Sequence, residues 1–187
     1  MKQFITPTRS ITDEIEALLN EQIKLEASSS ANYLSMASWC DTKGYVNSAK
    51  FLYNHSDEER MHMLKLFGYL NDAGGHAMHP EITGLQHSFS TLREVFEKVL
   101  HHEIEVTKSI HKIVDHCFKI KDFTTFQFLQ WYVTEQREEE ILARRAVELF
   151  DIIGEEGLGL WTIDQEIGKL ENFAAEGPIE SVPEGDA

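Results

Sequence analysis

Within the stretch His55-Ser56-Asp57-Glu58-Glu59-Arg60-Met61-His62, Glu59 and His62 stand three residues apart. On an α-helix, residues at i and i+3 share a face, so this carboxylate and this imidazole can reach the same cation. A single pair of this kind is common by chance; its setting carries more. The apolar stripe of the segment runs Phe51/Leu52, His55, Glu59, His62, Leu66, Tyr69/Leu70, which puts Glu59 where a core residue belongs. A buried, bare carboxylate is costly unless something positive neutralises it. The chemistry to look for is cation binding.

The same displacement recurs in three other segments. One stripe reads Ile15, Leu18/Leu19, Gln22, Glu26, Ser29, Tyr33, Met36, and a second reads Leu92, Val95/Phe96, Val99, Glu103, Val106, Ile110, Ile113/Val114. The third reads Phe128, Trp131/Tyr132, Glu135, Glu138/Glu139, Leu142, Ala146, Leu149/Phe150. Glu26, Glu59 with His62, Glu103 and Glu139 each fall near the middle of a helical segment. The mid-points of equally long helices packed side by side share one height, whichever way each helix runs. Four carboxylates and an imidazole are therefore expected in one buried layer, where two divalent cations would balance the charge. Carboxylates with imidazole and no thiolate favour iron or manganese over a structural zinc site, although zinc also accepts such ligands. On this reading Glu103 is retained for metal alone, and a leucine in its place is expected to be tolerated by the metal-free protein.

The elements that must position these residues are well punctuated. Pro7, Pro80, Pro178 and Pro183 all fall outside the helical periodicity, where proline would break the hydrogen-bond ladder. From Leu85 to Ile153 there is neither glycine nor proline. Helix A is expected from about Ile11 to Trp39 with Ser10 as N-cap, and helix B follows a short link around Asp41 to Gly44 and ends near Ala73. Helix C opens at Ser90 or at a Thr91/Glu94 capping box and ends near Cys117. Helix D follows Lys119–Asp122 and ends at Ile153, and a short amphipathic helix E spans Trp161 to Phe173. The B–C link, Gly74 to His87, has about 14 residues and reaches ~45 Å when extended. A 28-residue helix is ~42 Å long, so the link can just traverse the bundle. The expected fold is all-α: a four-helix bundle, residues 10–173, with one long crossover and a short fifth helix. Residues 1–9 form an extension, and the Gly-, Pro- and Glu-rich residues 174–187 form an acidic, disordered tail.

Composition narrows the partners. A formal charge of −15 argues against nucleic acid, which needs a basic footprint, and fits attraction of cations. No apolar run approaches the ~18 residues of a membrane span, and the N-terminus has no signal-peptide core, so a cytoplasmic protein is expected. Cys40 and Cys117 show no metal-type spacing and are expected as free, buried thiols.

Over roughly Ile11 to Leu170 the chain resembles a non-haem bacterial ferritin. The motifs that carry the likeness are Leu19-Asn20-Glu21-Gln22-Ile23-Lys24-Leu25-Glu26, Glu58-Glu59-Arg60-Met61-His62, His102-Glu103, and the long run from Phe128 to Glu140. The resemblance implies that Glu26, Glu59 and His62 hold a first iron, and that Glu59 bridges to a second held by Glu103 and Glu139, with Gln136 alongside. It also implies a weaker third iron site at Glu58, Glu135, Glu138 and Glu139. Tyr33 and Trp131 match aromatic residues that flank the centre in the family. The implied activity is oxidation of Fe(II) by O2 or H2O2, followed by storage of Fe(III) as a hydrated ferric oxide inside a homo-oligomeric shell of 24 subunits.

Two departures sharpen this. A symmetrical di-iron enzyme would repeat Glu-x-x-His on helix D, where this chain reads Gln136-Arg137-Glu138-Glu139. The second iron position should then be weaker and more exchangeable, which suits passage of iron. Where the haem-binding relatives carry a methionine directly after the helix-B glutamate, this chain has Arg60, so no haem is expected. A rubrerythrin-like di-iron peroxidase or oxygenase is disfavoured by the missing second Glu-x-x-His and the missing Cys-x-x-Cys iron domain. A purely structural four-helix bundle leaves the aligned carboxylates unexplained. In helix E, Leu158, Leu160, Trp161, Ile163 and Ile167 are apolar residues expected to cover a subunit contact.

Overall fold

A computed structural model describes residues 9–170. The expected extension, apart from Arg9, and the expected tail lie outside the described residues, as does the expected end of the fifth helix at Phe173. The described residues form α1 (Asp13–Lys43), α2 (Val46–Asp72), α3 (Leu92–Ile120), α4 (Phe123–Ile153) and α5 (Gly159–Ile167). None of these helices is long and apolar enough to cross a membrane.

Several helix ends differ from the sequence expectation, each for a local reason. The N-cap of α1 is Thr12, whose hydroxyl accepts from Ile15 N at 3.2 Å. Ser10 instead donates its hydroxyl to Ala73 O at 3.1 Å, tying the chain start to the end of α2. Arg9, expected in the extension, forms ion pairs with Asp13 and Glu16. At its other end α1 runs on to Lys43 and stops at Gly44, whose φ of 85° is a left-handed conformation that glycine adopts without a Cβ penalty. Thr91 caps α3, and the Glu94 carboxylate reaches back to Ser90 N at 2.7 Å, one residue further than a standard capping box. The α3–α4 turn is only Lys121 and Asp122, and Asp122 accepts from both Thr125 N and Thr125 Oγ1.

The short turns make α1–α2 and α3–α4 antiparallel hairpins. Residues 73–91 form the expected crossover, and α1 sets their course. Asn20 bonds to His76 O and to Met78 N, Ser35 donates to Gln86 O at 2.6 Å, and Trp39 packs edge-on against Phe89. Asn20 and Ser35 are about 22 Å apart along the helix axis, so the link climbs α1 and delivers α3 beside its C-terminal end. Helix α3 then descends antiparallel to α1, bringing Ser29 to His102 and Glu14 to His116. Helix α4 ascends antiparallel to α2, pairing Tyr69 with Thr125 and His55 with Glu139.

The core is in two parts. One apolar cluster includes Phe51, Leu52, Phe96 and Phe150; the other includes Ile15, Leu19, Leu66 and Ile113. Between them lies a polar layer of Gln22, Glu26, Ser29, His55, Ser56, Glu59, Glu103, Gln136 and Glu139, all buried. Cys40 and Cys117 are free and buried as expected. Burial chiefly pushes their thiols up to about 12 and about 11, which keeps them unreactive.

Helix α5 opens at Gly159, two residues before the expected start, and reaches its C-cap at Gly168, and its apolar residues divide. Ile163 and Ile167 are fully buried in the subunit's own core and Leu160 packs against it. Leu158 and Trp161 stay 76% and 63% exposed, so the expected uncovered face shrinks to these two. One polar residue fixes α5 in place. Tyr45, the N-cap of α2, offers no side-chain cap bond, and Asp164 supplies it from α5. Its carboxylate accepts from Asn47 N, Asn47 Nδ2, Ser48 N and Ser48 Oγ at 2.7–3.2 Å, at a helix terminus that favours negative charge. Asp164→Ala should lower stability by about 2 kcal/mol, read as a drop in thermal midpoint. An unchanged midpoint would mean that packing alone holds α5.

Candidate metal centre

The polar layer brings together most of the residues singled out by spacing. Carboxylate oxygens of Glu26 and Glu59 and a ring nitrogen of His62 lie within 4.8 Å of one another. All three side chains come from the two helices of the first hairpin, and the i, i+3 spacing on α2 places His62 beside Glu59, with Nδ1 3.5 Å from Glu59 Oε2. Glu26 Oε2, Glu59 Oε2 and His62 Nδ1 are buried and have no hydrogen-bond partner among the described residues. Buried polar atoms are seldom left so. This donor set fits a divalent cation.

Around this trio stand residues that order it. Gln22, one turn before Glu26 on α1, donates Nε2 to Glu26 Oε1 at 2.5 Å. On α4, Tyr132 sets its ring edge-on to His62 with centroids 5.4 Å apart, and Trp131 lies 5.3 Å from the same imidazole. The Lys65 ammonium sits 3.3 Å over the Trp131 ring.

Glu103 and Glu139, expected to share a second iron, lie in different surroundings in the metal-free centre. Among the described residues Glu103 joins neither group of close ligand atoms. Its Oε1 accepts from the Tyr33 hydroxyl and its Oε2 from Gln136 Nε2 at 2.6 Å. Glu139 meets His55, with Nδ1 3.1 Å from its Oε2, and these two form a second close trio with Glu58. Sequence reasoning missed His55 as a possible ligand, reading it only as a stripe position. Its placement four residues before Glu59 was the available signal. It also missed His102, whose Nε2 lies 2.6 Å from Ser29 Oγ and whose ring packs edge-on against Tyr33.

The second trio opens on a cleft of about 270 Å³ between α2 and α4, lined by His55, Glu58, His62, Glu135, Glu138 and Glu139. Glu58, Glu135 and Glu138 are exposed there. All four residues expected in a third, weaker site thus border one acidic opening beside the buried trio.

The two sides of the layer differ electrostatically. Burial, and then Glu59, push Glu26 well above the usual carboxylate value. Burial also lifts Glu59 to about 7, and it lifts Glu103 well above the usual range, with Glu139 adding to the effect. For Glu139, burial acts upward but is outweighed by the hydrogen bond and charge of His55 and by His62, so it lies below the usual value. In the metal-free protein, burial thus favours the protonated form of Glu26, Glu59 and Glu103, and the His55 contact favours the ionised form of Glu139.

The fold and the polar layer together define a carboxylate-bearing four-helix bundle with a single crossover. The ferritin-like domain family matches residues 16–153. A probable bacterial non-heme ferritin-like protein of Haemophilus influenzae is 42% identical over 164 residues, covering 88% of this chain and 99% of that one. A bacterial non-heme ferritin of Campylobacter jejuni is 44% identical over 160 residues, covering 86% and 96%. Among solved structures, an open pore ferritin of Archaeoglobus fulgidus is 37% identical, with a TM-score of 0.82 and coverage of 85% of this chain and 97% of that one. The chain belongs to the ferritin family, on its non-haem bacterial side.

Two outcomes follow from the protonated layer. The folded, metal-free protein binds more protons than the unfolded chain above pH ~4.5, so its stability should fall as pH rises through about 7. Lifting Glu59 from 4.5 to about 7 is worth on the order of 3 kcal/mol by pH 8. Glu26 and Glu103 act in the same direction, and His102, held low by burial, opposes them. Thermal midpoints in chelator should therefore be higher at pH 5.5 than at pH 8, with a flatter slope in Glu59→Gln; a rise with pH would contradict the assignment. The second outcome corrects the expectation for Glu103. Because Leu at 103 leaves the Tyr33 hydroxyl without its acceptor and Gln136 Nε2 with only the backbone oxygen of residue 103 at 3.2 Å, Glu103→Leu should destabilise the metal-free protein by about 1–3 kcal/mol. Adding Tyr33→Phe and Gln136→Leu should recover most of that loss in the same unfolding measurement.

Proposed function

We propose that this chain is the subunit of an iron-storing shell that oxidises Fe(II) at the centre inside each subunit. The observation that carries the reading is the buried trio of unpartnered ligand atoms on Glu26, Glu59 and His62. A first Fe(II) would take these three, releasing the protons that the carboxyl groups hold. A second would share Glu59 and use Glu103 and Glu139, with Gln136 and Tyr33 holding the Glu103 carboxylate. Carboxylate oxygens keep further lone pairs for a cation when they accept a single bond. Two Fe(II) and two protons reduce one O2 to H2O2 and leave two Fe(III); with H2O2 as oxidant the same two electrons give two waters. The protein fixes spacing and charge, and the metal does the redox chemistry.

The cleft of Glu58, Glu135, Glu138 and Glu139 is the way out for Fe(III), which hydrolyses to a ferric oxide inside the shell. The family likeness supports a shell of 24 subunits and a cytoplasmic setting. Arg60, standing where haem-binding relatives carry methionine, supports the absence of haem.

The test is anaerobic Fe(II) loading followed by air, with ferric absorbance recorded on protein sized by gel filtration. A large closed oligomer taking up far more than two iron ions per chain is expected. Saturation at two would indicate a resident di-iron enzyme, and no oxidation a structural bundle. Glu26→Ala, Glu59→Ala and His62→Ala should each abolish the fast first phase. Glu135→Ala and Glu138→Ala should spare it and slow later turnover. Equal loss of the first phase in both groups would refute the division into a buried centre and an outer site.

A further inference from the structure

Two buried groups beside Glu26 have no task in the chemistry above. Gln22 is completely buried, and its amide nitrogen bonds to Glu26 Oε1 while its own oxygen has no partner. Tyr132 is also completely buried, and its hydroxyl is turned to the Glu26 carboxyl without a hydrogen bond of ordinary length. That hydroxyl faces Glu26 and Glu59, and the ring it belongs to braces the His62 imidazole. A buried hydroxyl without a partner is a liability that phenylalanine would avoid. Glu26 Oε2 is equally unpartnered.

A carboxylate that ligates a cation is held in place by donors at the lone pairs the metal leaves free, and Gln22 Nε2, 2.5 Å from Glu26 Oε1, and the Tyr132 hydroxyl stand beside it on α1 and α4. We infer that Gln22 and Tyr132 are positioning residues that hold the Glu26 carboxylate from two helices in its metal-bound form and so set the affinity of the first metal position. Gln22 fixes one oxygen from α1; Tyr132 closes on the carboxylate from α4. The inference rests on Glu26 being a metal ligand, as in the proposed function.

Its test reads metal affinity and metal-free stability together, on the full-length assembled protein, using Co(II) as a probe that neither reacts with oxygen nor builds a mineral. Visible absorbance of bound Co(II) reports occupancy of the centre. Tyr132→Phe, which removes a single oxygen, and Gln22→Met, which keeps the side-chain length, should each weaken binding roughly 10- to 100-fold. Tyr132→Phe should leave the thermal midpoint in chelator unchanged or raised. In a Glu26→Ala background the Tyr132→Phe effect on Co(II) should vanish, because its target is gone. Wild-type affinity in both single variants would overturn the inference and leave the proposed function standing. So would weaker binding accompanied by a lowered metal-free midpoint in Tyr132→Phe, the mark of a purely structural hydroxyl. A wild type that binds no Co(II) at the centre would overturn the inference together with the reading of Glu26 on which it rests.

Discussion

The structure depends on keeping four carboxylates in one layer at the middle of a bundle whose two ends are apolar. Glu26, Glu59 and Glu103 are 0%, 2% and 1% exposed and Glu139 is 9% exposed, so water cannot solvate them. An ionised carboxylate in such a place needs a partner charge. Without metal the layer resolves this in two ways: burial favours the neutral form of three carboxyls, and the fourth leans on His55. Each solution is one that a cation can replace. The polar layer also divides the core, and each apolar cluster on either side must be large enough to close the bundle alone.

Topology serves the same end. A hairpin alone aligns the middles of two helices; it does not bring a second hairpin into register. The crossover does that, because its bonds to Asn20 and Ser35 measure out the length of α1 before α3 begins. Helix α3 therefore starts level with the C-terminal part of α1, and Glu103 arrives at Tyr33. The α5 cap adds a final constraint at the same end of the bundle, where Asp164 ties the chain leaving α4 to the start of α2.

Much of this was legible in the sequence because periodicity and burial give the same instruction. Four stripes with a carboxylate at the centre of each predicted the layer, and an unbroken run from Leu85 to Ile153 predicted two long helices. The crossover was legible from length alone. What could not be read were choices between near-equal local partners. Ser10 and Thr12 are both competent caps, and contact with Ala73 takes Ser10 out of the competition. Stripes say which residues face inward but not which inward residues meet. The stripes thus present Glu103 as held for metal alone, although Tyr33 and Gln136 reach it from two other helices, and present His55 only as an inward position, although it faces Glu139. In α5 the period marks an apolar face without saying what covers it. Ile163 and Ile167 turned out to close their own subunit's core, and only Leu158 and Trp161 remain outward.

The layer is also graded, and the grade has a direction. At its inner end, Glu26 is completely buried, pushed by that burial toward its neutral form, and tethered to Gln22. Next comes Glu59, shared in reach between Glu26 and His62 and titrating near 7. Beyond it Glu139 is ionised at the mouth of the acidic cleft, and Glu58, Glu135 and Glu138 are open to solvent. A cation bound at the inner end competes with protons, so its affinity rises with pH; one at the outer end meets Glu139, held toward its ionised form by His55, and carboxylates open to solvent. Oxidation from Fe(II) to Fe(III) raises the charge on the ion and so favours the side richer in ionised oxygen ligands. The replacement of a second Glu-x-x-His by Gln136 and Glu139 increases that bias, since it puts an amide inside and a carboxylate facing the cleft. Under the proposed function, passage of oxidised iron toward the cleft would require no moving part, only the gradient of charge and burial that the four helices hold in place.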